Sequence, residues 1–208
     1  MPQLFQQVRI LDPIAQTERS GDILVIDQVI QEVSATTQLP TELNILPGQH
    51  LICAPGLVDL YSHSGTPGHE ERETLESLLA AAQAGGFVSI NILPDTLPAL
   101  DRASSMISLD RQYQQVAKQI PNCPQLGYWG ALTAEVAGKT MTELAELATT
   151  NMIGWADGRA IANPLLLRNL LEYLKPYHRP IALYACDREL RGNGIARSGV
   201  SALKYGLP

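Results

Sequence analysis

Imidazoles, thiols and paired carboxylates carry most side-chain chemistry, and this chain has few of them. Its four histidines, His50, His63, His69 and His178, are scattered over 208 residues. That scarcity limits any metal chemistry, because neutral imidazole is the commonest side-chain metal ligand. The three cysteines, Cys53, Cys123 and Cys186, are far apart, odd in number and outside any CxxC pair. Neither a disulfide framework nor a thiolate zinc site is indicated, and they are expected to be small buried apolar residues. There is no GxSxG nucleophile elbow and no HExxH, and Gly192-Asn193-Gly194 and Pro67-Gly68-His69 lack the glycine spacing of a phosphate loop. Both tripeptides read as ordinary turns.

The densest group of donors is Asp59-Leu60-Tyr61-Ser62-His63. On a strand, residues two apart share a face, so Tyr61 and His63 point the same way, while Asp59 sits deeper and is expected in a structural hydrogen bond. Taken by themselves, His63 reads as a packed or hydrogen-bonded residue at a strand end, and Asp157 before Gly158 as a turn residue.

The elements that must position these residues follow from hydrophobic periodicity. Short extended segments at Gln7–Ile10, Asp22–Asp27, Val29–Val33 and Leu43–Leu46, parted by turn residues, predict a small β-rich satellite over 1–53. Beyond it, strand-length apolar runs at Leu57–Tyr61, Phe87–Leu93, Gln125–Ala131, Met152–Trp155 and Ile181–Ala185 alternate with helical periodicity. Helices are expected at Glu70–Ala84, within Asp101–Gln119, at Thr140–Thr149, at Pro164–Lys175 and near Ser198–Tyr205. The result is an α/β chain of about five βα units, where a closed barrel needs eight strands. Two architectures remain open: a complete five-stranded doubly wound sheet, or a chain that stops inside a barrel.

Composition bounds the function. Apolar residues make up 45% and charged residues 17%, which describes a globular chain with a sizeable core. A net charge of -6 argues against a nucleic-acid partner, since phosphate-backbone binders gather Lys and Arg on one face. No run reaches the roughly 18 apolar residues of a membrane span and no signal peptide is visible, so a cytoplasmic location with no membrane partner is expected.

The segment APGLVDLYSHSGTPGHEERETLESLLAAAQAGGFVSINILPDTLPALD, Ala54 to Asp101, resembles the first strand, loop and helix of the dihydroorotase and hydantoinase branch of amidohydrolases. That family runs PGLVD, x-H-x-H, a PG loop, an ET-containing helix, AGG and a strand ending in MPNT. Pro55-Gly56-Leu57-Val58-Asp59, Pro67-Gly68, Glu73-Thr74, Ala84-Gly85-Gly86 and Pro94-Asp95-Thr96 fall in the same register. Gly130-Ala131-Leu132-Thr133, Ala156-Asp157-Gly158, LLLRNLLEYL, IALYACDREL and GVSALKYGLP extend the likeness over nearly the whole chain. The resemblance implies a partial TIM-like (β/α) barrel over 54–208. Because dihydroorotases are about twice as long, it also implies that the rest of the barrel lies in a missing half.

What the family implies for the site differs from what stands here. Relatives use a zinc-bound hydroxide to open or close a cyclic amide, with ligands converging at the C-terminal strand ends. At the family's first histidine pair the chain has Tyr61 and His63, and at its fifth-strand histidine it has Tyr184. Phenols are poor zinc ligands unless ionised. A family turn with two aspartates keeps one, Asp157. Gly65 stands where an arginine commonly holds the substrate carboxylate, and Asp95 stands for the Asn of MPNT, which places negative charge near an anionic substrate such as dihydroorotate. His63 and Asp157 are the metal candidates that remain, no catalytic residue is assigned, and Tyr61 and Tyr184 are expected to fill the former metal cavity.

The primary expectation is therefore an inactive dihydroorotase-like protein in a pyrimidine-biosynthesis setting, holding no cofactor. It would act as a structural or regulatory partner of aspartate transcarbamoylase or by self-association. The first alternative is an active, zinc-dependent cyclic amidohydrolase whose site is completed by a missing half. The second is a small-molecule binding module whose five-stranded sheet folds alone.

Overall fold

The computed structural model describes residues 2–33 and 42–207. Two compact units divide the chain, Met1–Gly56 and Leu57–Pro208.

The first unit is a five-stranded sheet of β1 (Gln3–Asp12), β2 (Thr17–Ile26), β3 (Val29–Val33), β4 (Asn44–Pro47) and β5 (Ile52–Cys53), in the order β3-β2-β1-β4 with β5 also on β1. β1 and β2 are joined by a turn in which Asp12 Oδ1 accepts from the amides of Ile14 and Ala15, both at 3.0 Å. β2 and β3 are joined through Asp27 and Gln28, both at positive φ (51° and 64°), the sign that matches a two-residue hairpin loop to strand twist. The expected strands are present, but β1 and β2 begin earlier than the apolar residues suggested, and β5 was not foreseen. Residues 34–41 of the expected satellite lie outside the described residues.

The second unit is built on a parallel sheet of β6 (Leu57–Ser62), β7 (Phe87–Ile92), β8 (Gln125–Gly130), β9 (Gly154–Ala156) and β10 (Ile181–Ala182). Its spatial order, β10-β9-β8-β7-β6, repeats the chain order. A doubly wound sheet must reverse direction at a switch point, whereas a barrel adds each strand beside the last. The five strands form a curled half-barrel, and the doubly wound alternative is overturned.

Around it run α1 (Leu75–Ala84), α2 (Ala103–Ala117), α3 (Leu144–Leu147), α4 (Pro164–Leu174), α5 (Arg188–Arg191) and α6 (Val200–Tyr205). Strand alternation sends Ile90, Ile92, Leu126, Tyr128 and Trp155 into one buried cluster with Leu79 of α1, Leu109 of α2, Leu147 of α3 and Leu170 of α4. Each fully buried side chain of this size contributes about 1.5–3 kcal/mol. The neighbouring residues Leu93, Trp129 and Ala156 form a smaller second cluster. The cysteines are partly buried free thiols rather than fully buried.

Element boundaries moved where polar side chains claimed the backbone. The expected Glu70 start of α1 is replaced by turns. Glu70 turns back to the Gly68 amide at 2.9 Å, and the helix begins only after Thr74, whose Oγ1 accepts from the Ser77 amide at 3.2 Å. The helix expected over Thr140–Thr149 shrinks to α3. Thr142 is spent on the carbonyls of Ala131 and Leu132, and the Thr149 and Thr150 hydroxyls cap the carbonyls of Glu146 and Leu147 at 2.7 Å. β10 stops at Ala182 because its partner β9 ends at the paired Ala156.

Candidate functional site

The C-terminal strand ends bring the candidate residues to one rim. The Leu93 amide donates to the Ser62 carbonyl at 2.8 Å, continuing the β6–β7 pairing by one step. Just beyond that step, the first residue after β6 meets the third after β7: His63 Nδ1 lies 2.8 Å from Asp95 Oδ2. The imidazole is mostly exposed and the carboxylate mostly buried.

Deeper in β6, Asp59 has the expected structural role. Its Oδ1 accepts from the Tyr61 amide at 2.9 Å and its Oδ2 from the Ser62 hydroxyl at 2.6 Å, holding the register shift between Asp59 and Ser62. Two side chains from neighbouring strands pin this edge strand. Asn91 Nδ2 donates to the Asp59 carbonyl and Trp129 Nε1 to the Leu60 carbonyl, each at 2.9 Å.

Asp157 follows β9 and is 2% exposed. Its Oδ1 accepts from the amides of Leu132 and Thr133 at 2.8 and 3.0 Å, and its Oδ2 accepts from the Thr133 hydroxyl at 2.5 Å. Thr133 is itself held, since its Oγ1 accepts from the Gly138 amide at 2.8 Å. Burial pushes the Asp157 carboxyl up from its ordinary value, against the lowering influence of these donors and of Arg159. Asp157 thus ties the end of β9 to the loop after β8.

Tyr61 belongs to the same neighbourhood. Its phenol is pushed up by burial and then by the charges of Asp95, Asp157 and Tyr184, so it stays neutral across the physiological range. Within the half-barrel Tyr61 is 40% and Tyr184 51% exposed, and Tyr184 stands near enough to act on the Tyr61 phenol.

Gly65 is a steric necessity. A Cβ there would fall 2.3 Å from the Glu73 carbonyl oxygen and 2.8 Å from that of His69, so this loop has no room for an arginine. The loop after β7 closes on it in a similar way. Gly68, at φ +100°, faces the Leu97 backbone so tightly that a Cβ would lie 2.1 Å from its carbonyl oxygen.

Residues 50–163 match the family described as Dihydro-orotase-like. The chain belongs to the dihydroorotase-like family. It is 38% identical to a probable dihydroorotase-like protein of Synechocystis sp. over 97% of this chain and 50% of that one. It is 28% identical to a dihydroorotase of Syntrophobacter fumaroxidans over 98% of this chain and 46% of that one. The chain spans about half the length of the curated relatives it matches. Among solved structures, an L-hydantoinase (dihydropyrimidinase) from Arthrobacter aurescens superposes with TM-score 0.65 at 17% identity, over 99% of this chain and 47% of that one. A dihydroorotase crystal structure superposes with TM-score 0.58 at 14% identity, over 89% and 51%. At these identities the structures show the shared fold, a barrel half filled by this chain.

A zinc ion of the dihydroorotase-like type needs at least three protein ligands with free lone pairs. The described residues do not fit it. Only two candidates remain: Asp157, whose three donors leave one acceptor site on Oδ2, and His63, whose Nδ1 faces Asp95 and leaves Nε2 for an ion, while Tyr61 is held in its neutral form. Among the described residues no three His, Cys, Asp or Glu side chains gather closely enough to hold an ion.

Reading the sequence alone missed Thr133, fully buried, and Arg159, exposed two residues beyond Asp157. The available signal for the first was a lone hydroxyl closing the apolar run Gly130-Ala131-Leu132. Nothing local marked the second.

Proposed function

We propose that the protein containing this chain is a dihydroorotase-like protein without zinc-hydroxide catalysis, acting as a structural or regulatory partner in pyrimidine biosynthesis. The observation that carries the proposal is the state of Asp157. A metal-ligating carboxylate must turn lone pairs to the ion, and this one is held by three donors from Leu132 and Thr133 as the link between β9 and the β8 loop, with one acceptor site left on Oδ2. Recruiting it would leave buried donors unpaired, at a cost of about 1–3 kcal/mol each. The phenols at Tyr61 and Tyr184 and the closed backbone around Gly65 agree with this reading, because they remove ligand and substrate-carboxylate contacts together.

The partner suggested by the resemblance is aspartate transcarbamoylase, which inactive relatives of dihydroorotase hold in complexes. The test uses the full-length protein. It should contain no stoichiometric zinc by elemental analysis, leave dihydroorotate unhydrolysed, and shift the assembly size of aspartate transcarbamoylase in sedimentation. Stoichiometric zinc together with dihydroorotate or hydantoin turnover would replace this reading with that of an active cyclic amidohydrolase. An unchanged assembly size would remove the partner.

A further inference from the structure

Beside the rim lies a cavity of about 190 Å³ between the segments that follow β9 and β10, lined by Arg159, Ile161, Leu167, Leu183, Tyr184 and Cys186. Its walls are mainly apolar and its polar groups are few: a guanidinium, a phenol and a thiol. Among the described residues Arg159 has no hydrogen-bond or ion-pair partner, and its charge acts on Asp157. Asp157 accepts from Leu132 and Thr133 and from no guanidinium nitrogen, so it does not occupy the five guanidinium donors.

We propose that this cavity binds a small carboxylate with an apolar body, with Arg159 holding the carboxylate and Ile161, Leu167 and Leu183 enclosing the body. Three observations converge on it. A planar guanidinium presents paired donors matched to a carboxylate, and here those donors are free beside an apolar recess. The position lies at the C-terminal ends of parallel strands, where (β/α) barrels place their ligands. And the guanidinium of the loop after β6, Arg72, is turned back onto the Ser64 carbonyl at 3.1 Å. The size sets the ligand class. An apolar cavity of about 150 Å³ accommodates benzene, so this one suits a monocarboxylate with about six to eight carbons rather than a nucleotide.

The proposal is independent of whether the protein catalyses or scaffolds, since it concerns binding alone. Its test is calorimetric titration of the full-length protein with benzoate, with benzyl alcohol as the uncharged probe of the same shape. Benzoate is expected to bind and benzyl alcohol to bind at least about tenfold more weakly, as for loss of one charge-assisted hydrogen-bonded pair. Arg159→Gln should weaken benzoate by a similar factor, Arg159→Lys by less, and Leu167→Trp should abolish binding by filling the recess. Thermal unfolding of the free variants checks that each is folded, and ligand titration of Arg159→Lys serves if Leu167→Trp is not. Absence of benzoate binding to the unmodified protein up to about 10 mM, or equal affinity for benzoate and benzyl alcohol, overturns the proposal. So does undiminished binding by Arg159→Gln.

Discussion

Thr133 and Asp157 make the most consequential pair in the chain, because the side chain that the resemblance makes a metal candidate is the side chain that the loop uses as a strut. Thr133→Val removes the hydroxyl that donates to Asp157 and accepts from Gly138 while keeping the volume. Its expected cost is about 1–3 kcal/mol in urea unfolding, the range for stranding buried polar groups. Gly65→Arg is the complementary case. If the arginine that the resemblance implies at this position could be added as a simple surface change, it would be neutral, but the contacts with Glu73 and His69 predict a loss of about 1–3 kcal/mol with no gain in dihydroorotate affinity. Tyr128 supplies a pH prediction. Burial, and then Asp110, push its phenol far above the ordinary value of 10.0. Below that value it is neutral folded or unfolded and costs nothing. As pH rises through it, the unfolded chain ionises first and stability falls. Tyr128→Phe should therefore flatten the decline in unfolding free energy between about pH 9 and about pH 11.

At the level of elements, the helices differ in how their first turns are satisfied. α1 is capped by Thr74 and α4 by Asn163, whose Oδ1 accepts from the amides of Leu165 and Leu166 at 3.0 and 3.2 Å. α2 starts after Arg102, which has extended backbone angles suited to a cap but makes no side-chain capping bond. Arg102→Ser should therefore stabilise the protein by about 0.5–2 kcal/mol, while Asn163→Ala should destabilise it by the same order, both read from thermal or urea unfolding. The positions of strands and helices were legible from periodicity, since Leu75, Leu79 and Ala82 fall on one buried face of α1 as their spacing requires. Their ends were not, because Glu70, Thr142, Thr149 and Thr150 turn their side chains onto the backbone, and that competition depends on geometry rather than on hydrophobicity.

For the molecule as a whole, the decisive fact is that β6 and β10 are the outer strands of the half-barrel. Leu57, Val58 and Leu60 of β6, and Leu190, Val200 and Leu203 around α5 and α6, remain exposed. Open parallel edges with apolar flanks are templates for association. The 208-residue chain expressed alone should therefore run larger than a monomer in light scattering. A monodisperse monomer with a single cooperative unfolding transition would favour instead a self-sufficient binding module. No helix among the described residues is long and apolar enough to cross a membrane.

By itself the sequence determined the alternation of strand and helix, the family, and the residue types at the rim, because these rest on local periodicity and on motifs a few residues long. It also puts phenols, Tyr61 and Tyr184, where the family resemblance implies imidazoles. Tertiary structure alone decided between a half-barrel and a doubly wound sheet, since strand order is a relation among segments tens of residues apart. It alone showed that Asp157 is held by Leu132 and Thr133, that Gly65 has no room for a side chain, and that Arg159 has no partner among the described residues beside an apolar recess. Each of these depends on what lies across space from a residue, and no spacing along the chain encodes it.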